Sequence, residues 1–304
     1  MMTAGKQHRT GPALKARLRP LVRAARRLGR HATARIQAPV LALRNRYSSA
    51  PVTGNAAVTV SLTSYGARLD GVHLAIESIG RGTAKPRRLI LWVEDPLLLA
   101  DPPPALARLA GRGLELRLTQ GYGPHTKYFP YAVSLDRHTD PLVTADDDIL
   151  YPRRWLRVLL ASYARNPGSV SCHWANRIVV RDGRISDYRS WQPSRTTRPR
   201  LDQLALGVSG VLYPPQMLQR LAVKGPAFQE LSPTADDIWL HWVALRSHTP
   251  VRQVSTSPRH FPVIPGSQST SLLASNVHLG RNNEWVQRLY TVEDVREVEG
   301  AYRQ

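Results

Sequence analysis

Three adjacent carboxylates, Asp146-Asp147-Asp148, close the apolar run Leu142-Val143-Thr144-Ala145. Crowded carboxylates repel one another unless something cationic joins them. A hard divalent cation with oxygen ligands is the ordinary answer. Mg2+ in particular is often held by one or two carboxylates together with substrate phosphates. Side chains alternate along an extended segment, so Asp146 and Asp148 share one side while Asp147 points elsewhere. The plain alternative is a solvated acidic turn or a helix start, where acids are favoured.

A second acidic pair stands in Leu231-Ser232-Pro233-Thr234-Ala235-Asp236-Asp237-Ile238-Trp239. Two acids at the opening of a helix serve as caps. A carboxylate so placed also suits a general base that takes a proton from an attacking hydroxyl. A third feature is Gly207-Val208-Ser209-Gly210, which precedes Val211-Leu212-Tyr213-Pro214-Pro215. Glycines beside a strand let a ligand approach the backbone, or simply make a bulge or turn.

Several elements must position these groups. Val58-Thr59-Val60-Ser61-Leu62-Thr63 reads as a first strand ending at the turn Ser64-Tyr65-Gly66, and Arg88 to Val93 as a second, closed by Glu94-Asp95-Pro96. Leu114 to Leu118 and Pro141 to Ala145 read as the third and fourth. Helical spacing covers 70–80, 102–109 and 128–138 between them. Strands alternating with helices imply βαβ units and a mostly parallel central sheet flanked by helices. Nearly continuous apolar strands imply that both faces are covered. Ligands of such sheets bind beyond the carboxyl ends of the strands, where Ser64-Tyr65, Glu94-Asp95 and the triplet all fall. Further on, 153–165 and 236–245 read as helices. The run Ile178 to Ile185 reads as a hairpin with Asp182-Gly183 at its turn, and 190–202 as a loop.

The chain has 304 residues with 42 Lys+Arg against 22 Asp+Glu, a net charge of +20. The first acid is Asp70, and thirteen Lys and Arg precede it. The basicity therefore describes a tail more than a domain. Residues 1–50 form a basic N-terminal extension, partly helical or disordered, with a helix expected over about 20–35 and interruptions at Pro12, Pro20 and Pro39. Three readings stay open for it: a solvated extension, contact with an anionic membrane surface, or nonspecific contact with nucleic acid. No run of about 18 apolar residues suggests a membrane-spanning helix, and the one cysteine, Cys172, cannot make an internal disulfide. The expected location is cytoplasmic, with peripheral attachment to the inner face of the membrane as the variant.

Taken in order, the motifs resemble those of glycosyltransferases of the GT-A fold, a Rossmann-like architecture. They are similar to bacterial sugar transferases that carry VSLTSY, here Val60 to Tyr65, and LILWV, here Leu89 to Val93. The same enzymes carry TxDDDxxYP, here Thr144 to Pro152, then GVLYPP, here Gly210 to Pro215, and DDIW, here Asp236 to Trp239. Any one motif is weak, but five in the expected order are fairly specific. The resemblance covers 57–290, leaving 1–50 outside and 291–304 as a C-terminal tail.

The resemblance implies a hexosyltransferase-type enzyme. It would move a sugar from a nucleotide-sugar to a hydroxyl acceptor, a glycan or lipid-linked one, in cell-surface polysaccharide or glycolipid synthesis, with Mn2+ or Mg2+ as cofactor. It implies metal ligation by Asp146 and Asp148, with His260 or His278 as a completing ligand. It places Thr63, Tyr65, Arg68, Lys127, Asp146 and Asp147 on the donor side, Asp147 mainly as structure, and Gly210 and Trp239 on the acceptor side. Asp237, with Asp236 as alternate, would be the base of an inverting reaction. The tail from Gln268 to Asn276, and Asn282 to Trp285, would close over substrate.

Two rival classes share parts of this pattern. A haloacid-dehalogenase-like phosphatase also uses Asp-x-Asp after an apolar strand. However, it has Thr or Val where Leu150 stands, and it places the motif on its first core strand. A basic nucleic-acid-binding protein would fit the charge alone.

Overall fold

Alternation of side chains lets one strand feed two cores. The computed structural model describes residues 12–267 and 280–303. In β1 (Ala56–Thr63), Val58, Val60 and Leu62 are buried on one face. On the other face Thr59 donates to the Tyr131 hydroxyl (3.0 Å) and Ser61 accepts from the Trp92 indole (2.9 Å). Burying each large aliphatic side chain stabilises the fold by roughly 1.5–3 kcal/mol. The two polar groups cost little because both are satisfied.

β2 (Pro86–Val93), β3 (Leu114–Leu118), β4 (Leu142–Thr144), β5 (Val170–Cys172), β6 (Val211–Tyr213) and β7 (Val251–Gln253) complete a seven-stranded sheet, in the order β7-β5-β6-β4-β1-β2-β3. Only β6 runs against its neighbours, β4 and β5; the other pairs are parallel. The expected mostly parallel α/β architecture is therefore present. Helices flanking the sheet include α2 (Leu69–Gly80), α3 (Pro104–Ala110), α4 (Trp155–Arg165), α5 (Pro215–Lys224) and α6 (Asp236–Arg246). One core packs Leu89, Leu91, Val143 and Leu212 with α2 and α4, and the other packs Ile90, Leu142, Val211 and Tyr213 with α5 and α6. The Asp182-Gly183 hairpin forms as expected, Val180–Arg181 pairing with Arg184–Ile185. The helix expected over 128–138 is only the single turn Phe129–Ala132.

The N-terminal helix differs most from expectation. α1 runs unbroken from Pro12 to Tyr47, through both Pro20 and Pro39. Pro39 lies on the outer side of the helix, so the carbonyl it leaves unpaired faces water, which limits the cost of an internal proline. Ala34, Leu41 and Asn45 are buried on the inner side. Arg44 Nε reaches Glu77 at 3.1 Å, and Arg112 closes on the same, fully buried carboxylate. The last turns of α1 are thus joined to α2 and to the end of α3. At the other terminus, α7 (Arg281–Leu289) and α8 (Val292–Gly300) pack back on α6, where Arg246 pairs with Asp294 at 2.9 Å.

Three buried histidines make the fold sensitive to acid. Burial holds His125, His173 and His241 at about 4, below the usual 6.5. Between those values the unfolded chain binds more protons than the native one, so stability rises with pH across that window and levels off above it. The midpoint of thermal unfolding is expected to drop steadily from pH 6.5 toward 4. A flat midpoint over that range would count against it.

Candidate functional site

The acidic triplet follows β4, the strand beside β1, and the loop after β1 folds over it. The Ser64 hydroxyl donates to Asp147 Oδ2 at 2.7 Å, and Arg68 Nη1 donates to Asp147 Oδ1 at 2.8 Å. Asp147 is therefore tied to the β1 loop. Burial raises its pKa, opposed by those two partners. Arg68 Nη2 stands 3.7 Å from Asp148, beyond hydrogen-bond length. The backbone is pinned as well: the Tyr151 hydroxyl accepts from Asp146 N (2.8 Å), and Ile264 N donates to the Asp148 carbonyl (2.7 Å).

Lys127 is the second cation. Its Nζ lies 3.1 Å from Asp146 and 3.0 Å from Asp236 Oδ2. The latter approach is off the hydrogen-bond direction, and that buried oxygen has no hydrogen-bond donor. Burial works against the Lys127 charge, but Asp146, Asp236 and Asp237 outweigh it, and its pKa stands well above the usual value. Asp237 Oδ1 accepts from Gly207 N at 2.9 Å. Burial first, then Asp236, pushes the Asp237 pKa well up. A side chain at Gly207 would meet Asp237 Oδ1 and Lys127 Nζ, each at 3.1 Å, so a glycine there lets the backbone lie close over both.

Two sequence-distant acidic motifs thus meet at one end of the sheet, bridged by Lys127. Among the described residues, five carboxylates face two cations, Arg68 and Lys127, a balance that is anionic. Among the described residues no three His, Cys, Asp or Glu side chains converge as a ready metal-ligand set. What Asp146 and Asp148 offer is the two-carboxylate, oxygen-only pattern that suits Mg2+ or Mn2+ when phosphates supply further ligands. The donor chemistry and the anionic balance fit such an ion.

Beside this cluster, at the carboxyl ends of β2 and β3, lies a cleft of about 680 Å3. Trp92, Glu94, Arg117, Gln120, Tyr122 and Ser134 are among its lining residues. Glu94 therefore faces the cleft. Asp95 does not join it and instead accepts from Leu97 N at 2.9 Å. Thr63 ends β1 with its hydroxyl near the Trp92 carbonyl (3.4 Å), and Tyr65 is exposed in the loop that follows.

Other expected site residues lie elsewhere. Trp239, expected on the acceptor side, is buried at 1% exposure against Phe228 and Trp242, where no acceptor reaches it. Its helix α6 is apolar on nearly all sides because it is buried on nearly all sides. Gly210 lies against Trp155: a side chain there would fall 2.5 Å from the indole, and φ is +86°. Packing alone explains that glycine. His260 stacks edge-on against Trp174 at 4.0 Å, and among the described residues it joins no group of three or more possible metal ligands. His278 and the stretch from Gln268 to Asn276 lie outside the described residues. Asn282 and Trp285 are buried in α7. Ser64, Tyr151 and Gly207 hold the site together; all three fall within sequence features noted above, but none is given a role there.

No family model matches the chain, and no curated protein matches it in sequence. Among solved structures it is similar to a mannosyltransferase from Pyrobaculum calidifontis in complex with GDP-Man and Mn2+. The TM-score is 0.50 at 16% identity, over 93% of this chain and 79% of that one. That likeness shows a shared GT-A-like fold. Weaker overlaps are Staphylococcus aureus TarS 1–349 (TM-score 0.43, 13% identity, 67% of this chain and 59% of that one) and a 4-diphosphocytidyl-2C-methyl-D-erythritol synthase from Anaerococcus prevotii (0.44, 11%, 76% and 98%).

Proposed function

We propose that this protein is a glycosyltransferase that moves a sugar from a nucleotide-sugar to a hydroxyl acceptor with inversion at the sugar carbon. One observation carries the reading: Asp146-Asp147-Asp148 and Asp236-Asp237 meet around Lys127 beside a cleft at the strand ends. The shared fold with a structure that holds GDP-mannose supports it.

The cleft takes the nucleoside, with Tyr65, exposed in the loop after β1, as a stacking surface. Arg68 and Lys127 place fixed positive charge for the diphosphate. Asp146 and Asp148 would hold Mn2+ or Mg2+. Such an ion, when bound, offsets the negative charge that builds on the departing diphosphate. Asp147 keeps the β1 loop and Arg68 in place. Asp237 takes the proton of the acceptor hydroxyl as that oxygen bonds to the sugar carbon and the bond from that carbon to the phosphate oxygen breaks. A carboxylate whose pKa is raised by burial is a stronger base than an exposed one. The acceptor is a glycan or lipid-linked hydroxyl, met at an anionic membrane surface through residues 1–50. Among the described residues no helix is long and apolar enough to cross a membrane.

A panel of nucleotide-sugars with Mn2+ tests the donor class. One donor is expected to raise the unfolding temperature by several degrees and to be hydrolysed slowly without acceptor. If no nucleotide-sugar stabilises the protein, and nucleoside triphosphates do, the reading is lost.

A further inference from the structure

We propose that the outer face of α1 is a built contact surface for an anionic lipid bilayer. This carries the membrane part of the preceding proposal further and stands on a separate observation. The inner face of α1 is covered, with Ala34, Leu41 and Asn45 buried. The outer face is not polar, as a solvated helix face would be. Ile36 is 68% exposed, Val40 55%, Leu43 57% and Tyr47 72%, and their spacing of four, three and four residues places them in one stripe. Val22 (47%) extends the stripe toward the N-terminus, and Leu28 (72%) lies at its border. Ala25, Gly29 and Ala32 fill the register between Val22 and Ile36.

The charge decides what covers it. Arg35 and Arg46 are exposed along one edge of the stripe. No Asp or Glu precedes Asp70. A second copy of α1 would set arginines against arginines with no acid in the segment to pair them. A nucleic acid would satisfy the arginines and leave the apolar stripe in water. A bilayer of anionic lipid satisfies both, the stripe entering the headgroup boundary and the arginines meeting phosphates. α1 is about 54 Å long at 1.5 Å per residue. Its last turns are fixed to α2 through Leu41 and the Arg44–Glu77–Arg112 cluster. α2 follows directly on Arg68 of the candidate site. A bilayer on the outer face would therefore hold that site at one set attitude.

Co-sedimentation of the full chain tests this, using phosphatidylcholine vesicles with and without about 30% phosphatidylglycerol. The chain is expected to bind the anionic vesicles and not the neutral ones. Ile36→Gln with Leu43→Gln is expected to weaken that binding at least tenfold with the thermal midpoint unchanged, because both side chains are exposed. Arg35→Gln with Arg46→Gln should weaken it by a similar factor and flatten its salt dependence. Leu43→Gln alone serves if the double variant does not fold. The proposal is overturned if the unaltered chain does not bind anionic vesicles, or if Ile36→Gln with Leu43→Gln binds them as tightly. It is also overturned if a dimer of the unaltered chain becomes a monomer in that variant without any lipid binding. None of these outcomes depends on sugar transfer, and the donor panel does not depend on lipid, so the two proposals fail separately.

Discussion

Asp148→Ala is expected to lower transfer about a thousandfold and to remove its dependence on added Mn2+, since a Lewis-acid contribution of several kcal/mol corresponds to that factor. The loss is placed at Asp148 because the proposed reading makes it, with Asp146, one of the two carboxylate ligands of the ion, and two carboxylates with phosphate oxygens are a usual set for such a cation. Asp147, by contrast, is tied to the β1 loop by Ser64 and Arg68 at 2.7 and 2.8 Å. A binding readout accompanies the activity. In the unaltered chain Mn2+ should add to the thermal stabilisation by a nucleoside diphosphate, and in Asp148→Ala it should add nothing. Asp147→Asn is the contrasting variant. It should loosen the β1 loop and lower stability, because it weakens a charged partner of Arg68 in a half-buried site. If Asp148→Ala keeps full activity in the presence of a chelator, the triplet is not a metal site.

The triplet's surroundings also show where the sequence could be read and where it could not. The strands from Val58 to Thr144 were legible because fully covered strands leave continuous apolar runs, and the turn residues bounded them. The second acidic pair was legible as an acidic helix start. Its meeting with the triplet was not, because that contact is made by Lys127, 19 residues before Asp146, and no spacing rule links a side chain's reach to a partner across the sheet. Trp239 misled for a related reason. A motif places a residue near a site, but α6 turns that ring into the core. Pro20 and Pro39 read as breaks in α1 because local propensity disfavours them. The covered inner face, with Leu41 and the buried Glu77 cluster, anchors the helix as local rules do not foresee.

Lys127 also sets the charge balance of the acidic cluster. The crowding of carboxylates that suggested a metal is already offset in part by two protein cations. Lys127 sits where the donor side, Asp146, meets the proposed base side, Asp236 and Asp237. Phosphate arriving at the triplet would draw Lys127 toward it and leave the acidic pair less compensated, which favours proton uptake there. On the proposed reading, the donor and the base would be coupled through one side chain.

Asp237→Asn is expected to lower kcat by about a thousandfold, in the range of general-base contributions, while the donor KM changes by less than about twofold. The side chain keeps its shape and its oxygen can still accept from Gly207 N, which now holds Asp237 Oδ1 at 2.9 Å. The fold should therefore persist. Only ionised Asp237 accepts a proton, so the rate in the unaltered chain should climb with pH through its pKa, which burial and Asp236 raise well above the ordinary carboxylate value. That limb should vanish in Asp237→Asn, and the residual rate should be flat across the same range. Asp236→Asn should behave differently. It removes a charge that Lys127 meets at 3.0 Å and that helps raise the Asp237 pKa. Its limb should move to lower pH and survive. If Asp237→Asn raises the donor KM as much as it lowers kcat, or keeps the limb at its original pH, Asp237 is a donor-binding or structural residue and the base lies elsewhere.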